Sequence, residues 1–162
     1  MTNKSTVMRR SDYSGSDYLI TNCNLHIDLD ATTSVVTSIL SIKHNPESVN
    51  KSADLILNGE GIELLSVKIN GKTITAKNYA LTDELLTLSN LPNDDFELEI
   101  INNIYPNSNT LLSGIYESGD IICSQCEARG FRRITYFLDR PDILSIYTVT
   151  LVGDKTKYPI LL

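Results

Sequence analysis

The sequence is poor in the residues that most often announce chemistry: its 162 residues include only three cysteines and two histidines. An odd cysteine count argues against a secreted disulfide framework, in which cysteines pair off. Cys123 and Cys126 form a Cys-x-x-Cys, but a closed zinc site wants four ligands and only Cys23 is left to join them. A thioredoxin-like pair would open a helix inside a βαβ unit and would titrate below the usual thiol range. No such unit flanks this pair, so the cysteines read as reduced and structural. His26 and His44 do not fall in the His-Glu-x-x-His pattern by which a helix presents two zinc ligands. No metal site is therefore expected within these residues.

Charge and hydropathy exclude further classes. No run of about 18 apolar residues is present, so no membrane-spanning helix is expected. Residues 1–16 are polar and lack the apolar core of a secretory leader. The net charge is −6, from 14 basic and 20 acidic residues. The basic residues are scattered except for Arg129, Arg132, Arg133 and Arg140, which leaves no stripe able to track phosphates. These observations predict a soluble, cytoplasmic protein with neither nucleic acid nor membrane as a partner. The length suits one domain with a core that needs no staples.

What the chain does contain is strand signal. Residues 1–17 read as a polar arm, mobile or draped over a surface supplied by other domains, and residues 18–162 as a β-rich domain. From Leu19 to Leu29 the odd positions are apolar or small and the even ones include Asn22, Asn24, His26 and Asp28, the period of a half-buried strand. His26 thus falls on the wet face. A β-branched run over residues 35–43 follows a turn and should pair with the first strand; His44, beside Asn45 and Pro46, reads as loop. Asn70-Gly71 predicts a type I′ hairpin between residues 66–69 and 72–74. Further strands are expected at 54–57, 84–88, 96–100, 134–138 and 145–152. Single helical turns are expected near Asp83 and Pro141. Short strands at close spacing predict an all-β sandwich or saddle-shaped sheet.

Residues 123–142 concentrate charge, aromatic residues and one glycine. Gln125 to Arg132 read Gln-Cys-Glu-Ala-Arg-Gly-Phe-Arg, and Asp139 to Asp142 read Asp-Arg-Pro-Asp. In these residues, and in residues 18–30, 57–60, 100–103, 114–116 and 155–162, the chain resembles the N-terminal domain of the bacterial aminopeptidase N family of zinc-dependent alanyl aminopeptidases. The resemblance covers nearly the whole chain. It implies an all-β domain at the amino-terminal end of a longer enzyme that removes N-terminal residues from peptides with broad specificity. The family's Gly-x-Met-Glu-Asn segment and its zinc ligands are absent here. The resemblance thus implies a piece that stops before the catalytic domain and is inert alone, with zinc belonging to the parent. The family's sheet continues past residues 158–162, so final strands could be lacking and an edge left open.

The same resemblance assigns roles. Glu127 matches an acidic residue that accepts hydrogen bonds from the substrate α-ammonium, and Gln125 matches a position lining the pocket for the first side chain. Peptide substrates and the catalytic domain of the same chain would be the partners. If the segment is extended, Gln125 and Glu127 share a side. Arg132, Arg133, Asp139, Arg140 and Asp142 are read as ion pairs, and Phe131, Tyr136 and Phe137 as core or interface aromatics. Gly130 should mark a positive φ or a close backbone approach. Arg129 departs from many family members, which carry Glu there; aimed at Glu127 it would hold that carboxylate ionised. The alternative is a stand-alone β-sandwich binding module in which Glu127 has no catalytic role.

Overall fold

Alternation of apolar and polar side chains builds a large mixed sheet whose strand order departs from chain order. A computed structural model of the protein describes residues 9–50 and 52–161. Along the chain the strands are β1 (Tyr18–Leu29), β2 (Ser34–His44), β3 (Leu55–Asn58), β4 (Glu63–Ile69), β5 (Lys72–Thr73) and β6 (Tyr79–Leu81). They continue with β7 (Leu85–Leu88), β8 (Phe96–Ile104), β9 (Gly114–Ser118), β10 (Ile121–Gln125) and β11 (Ile146–Gly153). The main sheet runs β11-β1-β2-β8-β4-β5; β3-β7-β6 form a second sheet and β9-β10 a separate hairpin. The all-β expectation holds.

The centre of the main sheet shows why. On β2, Val36, Ser38, Leu40 and Ile42 are buried; on β8, Phe96, Leu98, Ile100 and Asn102 are. Their neighbours on each strand face outward. The register sets Leu40 opposite Leu98 and Ser38 opposite Ile100, so the two inward rows form one continuous surface. With Leu55, Leu57, Leu86 and Leu88 of the second sheet they make one core cluster. Each such buried leucine or isoleucine contributes about 1.5–3 kcal/mol. At the β4–β5 turn, Asn70 (φ 48°) and Gly71 (φ 74°) adopt the paired positive φ of the predicted type I′ turn.

Several expectations need correction. The odd-position rule fails at the start of β1, where Tyr18 and Ile20 are buried and Leu19 and Thr21 are not. The register shifts between Ile20 and Asn22, a bulge that spends one residue and exchanges the two faces. Beyond it Cys23, Leu25 and Ile27 point inward, and His26 is exposed, 3.2 Å from Asp28. His44 is the last residue of β2 rather than loop, its ring 4.5 Å from that of Tyr18. Residues 134–138 are not a strand; their single ladder contact is a bridge between Phe137 and Asn58. All five are buried, because the segment is enclosed rather than half-exposed, so an apolar run carried no period to read. At Pro141 a single turn closes, Ile143 N–H donating to Arg140 O at 3.2 Å, without growing into a helix, and none forms at Asp83; among the described residues the 3₁₀ turns are Arg10–Asp12, Pro106–Ser108 and Phe131–Arg133. β6, β9 and β10 were not anticipated.

Two boundary features remain. β11 pairs in parallel with β1 and is exposed along nearly its whole length, and among the described residues no strand lies beyond it. Among the described residues β11 is thus one edge of the main sheet. Residues 1–8 of the polar arm fall outside the described residues. The rest of the arm lies on its own domain: Tyr13 Oη donates to Asp142 at 2.8 Å, Arg140 Nη2 to Ser14 O at 2.7 Å, and Asn45 Nδ2 to Ser16 O at 2.7 Å.

Candidate functional site

The β9–β10 hairpin delivers the candidate residues. Gln125 ends β10, opposite Gly114 of β9. The strand then stops, because the Gly130 N–H closes a turn onto Cys126 O at 2.8 Å. Glu127 therefore sits at a turn, and the extended geometry that would align it with Gln125 does not occur. Both side chains are exposed, and the Glu127–Ala128 peptide bond is cis. Among the described residues the Glu127 carboxylate meets no ion-pair or side-chain hydrogen-bond partner, and Arg129 forms no ion pair with it. The sequence-based idea of Arg129 holding Glu127 ionised finds no contact to act through.

Beneath the turn, the chain is anchored. Cys126 is half-buried and packs on the core; burial, and secondarily the Asp139 charge, push its thiol pKa up. A redox pair needs the opposite shift. Cys23, fully buried, is pushed up to about 12 by desolvation, and all three cysteines are free. Gly130 is buried with φ −96°, so of its two expected explanations the close backbone approach is the one realised. Phe131 stacks edge-on against Phe137 at 4.8 Å and Tyr147 at 5.6 Å.

The charges that follow are paired, as the sequence reading expected. Arg132 Nε donates to Asp139 Oδ2 at 2.7 Å and its Nη2 to Asp139 O at 3.1 Å, with Glu60 at 3.6 Å from Nη1. Arg133 Nη2 meets Glu60 Oε2 at 2.6 Å, and the Glu60 N–H donates to Arg132 O at 3.0 Å. Arg140 grips Asp142 through Nε and Nη2, both at 2.8 Å; the Arg140 hydrogen bond is the main cause holding the Asp142 carboxyl below the usual range. Residues 134 and 135 are tied to the main sheet by Asn102 Nδ2 donating to Ile134 O at 3.0 Å and by the Ser38–Thr135 hydroxyl pair at 2.9 Å. An unpartnered carboxylate thus stands on a turn whose footing is fixed in sheet, core and ion pairs.

Gln125 and Glu127 lie outside the two main clefts formed by the described residues. A cleft of about 270 Å³ lies between Glu60, Tyr105, Asn109, Ile115 and Arg133, and an apolar one of about 580 Å³ between Leu29, Ile122, Leu151, Tyr158 and Ile160. Ser113 and Asn109 went unremarked in the sequence, yet both support the turn: Asn109 Nδ2 donates to Ser113 O at 2.7 Å and Ile115 O at 2.9 Å. Their relevance becomes readable only once β9 and β10 are seen to pair.

A main sheet closed by a short one, with a hairpin presenting Gln125 and Glu127, defines the class. The chain belongs to the Peptidase M1 N-terminal domain family, which it matches over residues 17–161. Among particular relatives, it is 47% identical to aminopeptidase N of Escherichia coli (strain K12), over 100% of this chain and 18% of that protein. It is 42% identical to aminopeptidase N of Haemophilus influenzae, over 94% of this chain and 17% of that protein. The crystal structure of Legionella pneumophila aminopeptidase A in complex with aspartic acid superposes with a TM-score of 0.88 at 32% identity, covering 98% of this chain and 18% of that one. Native leukotriene A4 hydrolase from Saccharomyces cerevisiae, at TM-score 0.71 and 18% identity, over 91% of this chain and 26% of that one, shares the fold. The chain spans just under a fifth of the length of the curated aminopeptidases it matches. No helix among the described residues is long and apolar enough to cross a membrane.

Proposed function

We propose that this chain forms the N-terminal domain of a zinc aminopeptidase and that Glu127 anchors the α-ammonium group of the peptide substrate. The observation that carries the anchor is the contrast in partners. The other two carboxylates of residues 123–142, Asp139 and Asp142, are engaged by arginines, whereas Glu127 is exposed and unengaged on a fixed turn. A carboxylate that forgoes internal pairing is available to an incoming cation. Gln125, exposed at the end of β10, offers a donor and an acceptor to the first side chain of the substrate. The relatives named aminopeptidase N, together with identity along the whole chain, support the choice of reaction.

Among the described residues no three His, Cys, Asp or Glu side chains gather where they could hold a metal ion. These residues do not fit a catalytic zinc, which the proposal assigns to the catalytic domain of the same enzyme. This domain's own part is binding and orientation: it fixes the amine end, so that the scissile bond lies one residue along. A cytoplasmic setting belongs to the same proposal, supported by three free cysteines in place of disulfides.

The test is Glu127→Ala in the full-length enzyme, assayed on peptides with a free terminal amine. Removing one partner of a desolvated charged pair costs roughly 2–5 kcal/mol, or about 30-fold to several thousand-fold in kcat/KM. Zinc content should be unchanged. A variant with the parent's kcat/KM would rule the anchor out.

A further inference from the structure

The turn that carries Glu127 is gripped from two sides, and the grip closes on one residue. Gly130 is buried although Glu127, Ala128 and Arg129 before it are exposed. Its backbone, φ −96° and ψ −13°, suits any amino acid, so conformation does not demand glycine here. Space does. A Cβ on Gly130 would lie 2.6 Å from the Gln125 carbonyl oxygen, 2.7 Å from Cys126 Cα and 2.9 Å from Ser113 Oγ. The first two are backbone atoms and cannot swing aside. Ordinary contact begins near 3.4 Å, so the Gln125–Cys126 backbone would have to shift by roughly 0.8 Å. Ser113 closes the other side and is itself held, because Asn109 Nδ2 donates to the carbonyl oxygens of Ser113 and Ile115. The atoms that must yield belong to the two residues directly before Glu127.

We propose that Gly130, enclosed by the Gln125–Cys126 backbone and the Asn109-supported Ser113, is a positioning residue for Glu127: the side chain it lacks sets where the carboxylate stands. The inference rests on the reading of Glu127 as the amine anchor. A charge-assisted hydrogen bond is held at about 2.7–2.9 Å, and a misplacement of about 1 Å can cost about 100-fold in rate. Any side chain at position 130 therefore acts on the substrate through Glu127, without touching it.

The test is a double-mutant cycle in the full-length enzyme with Gly130→Ala, Glu127→Ala and both together. It reads kcat and KM on a peptide with a free terminal amine, zinc content and the thermal midpoint. The expected result is a loss of about 100-fold in kcat/KM for Gly130→Ala alone, but under about 10-fold when Glu127 is already alanine, the remainder passing through the displaced Gln125. A merely structural defect would lower the active fraction equally in both backgrounds, so equal losses overturn the inference, as does full activity of Gly130→Ala. If Glu127→Ala alone keeps the parent's kcat/KM, the anchor reading falls and takes this inference with it; equal losses overturn the inference alone. Should Gly130→Ala fail to accumulate folded, Asn109→Ala replaces it in the cycle, with a loss of roughly 10-fold expected only when Glu127 is present. Equal losses in both backgrounds again overturn the inference.

Discussion

Arg132, Arg133, Asp139, Arg140 and Asp142 each end in an ion pair, while Glu127 and Arg129, a few residues upstream, end in solvent. Along the sequence the two groups look alike: charges interleaved with aromatics around Gly130. The difference lies in what sits beneath them. In the downstream group, Arg132, Arg133 and Asp139 are drawn in around Glu60, where an unpaired charge would be costly, and Arg140 and Asp142 pair with each other beside Tyr13 and Ser14, so every charge has found a partner. The upstream group rides on a turn that projects from the hairpin, where an unpaired carboxylate costs little. Charge density alone did not separate framework from candidate site; partnership did.

That contrast can be broken by measurement. Arg132→Ala should give the largest effect, about 3 kcal/mol lost in chemical denaturation, because Asp139 would be left with a buried, uncompensated charge while Glu60 keeps Arg133. The side chains of Arg132 and Asp139 are only 14% and 12% exposed, which is why a surface-pair magnitude does not apply. Arg132→Lys should recover only part of the loss, since a point charge cannot reproduce the fork that meets Asp139 through Nε and Nη2. Asn102→Ala comes next, at about 2 kcal/mol, because it removes the partner of the buried Ile134 carbonyl. A smaller effect is expected in acid. Asp142 titrates below its ordinary range, chiefly through the Arg140 hydrogen bond. Its contribution is therefore fully present above the unfolded carboxyl value of about 3.9 and is lost as pH falls through the lower folded value. Carboxyl carbon shifts followed by NMR should place its midpoint below that value and return it toward ordinary in Arg140→Ala. The smallest effect sharpens the contrast most: Glu127→Gln should leave stability within about 0.5 kcal/mol. If Glu127→Gln were as destabilising as Arg132→Ala, the two groups would not differ in kind.

Much of this was legible beforehand, and the failures share a physical cause. β2, β8 and the Asn70-Gly71 hairpin follow rules local to a few residues, period-2 burial and positive-φ turn chemistry, and these survive into the fold unchanged. The start of β1 was misread because a bulge depends on how a partner strand pairs, which no property of Leu19 or Thr21 records. Residues 134–138 were misread because enclosure on all sides erases the alternation that distinguishes a strand. The β9–β10 hairpin did leave a signal in Ser118-Gly119-Asp120, where Gly119 has φ 60°, flanked by Ile115 and Ile121. Glu127 and Gln125 were named from the resemblance, but their placement at the turn and at the strand end depended on a hydrogen bond from Gly130 that sequence spacing does not foretell.

The parallel pairing of β11 with β1 has a consequence in time. Cys23 lies beside Tyr147, and Leu25 beside Val149, partners separated by about 120 residues of chain. A ribosome adding roughly 5–20 residues per second makes β1 some 6–25 s before the strand that will cover its outer edge exists. For that interval β2 can already be paired on the other side, so the nascent sheet grows from β1 toward β8 and β4 with one rail uncovered. β11 then docks beside β1, and among the described residues the outer rail of β1 is the part of the main sheet that waits longest for its hydrogen bonds.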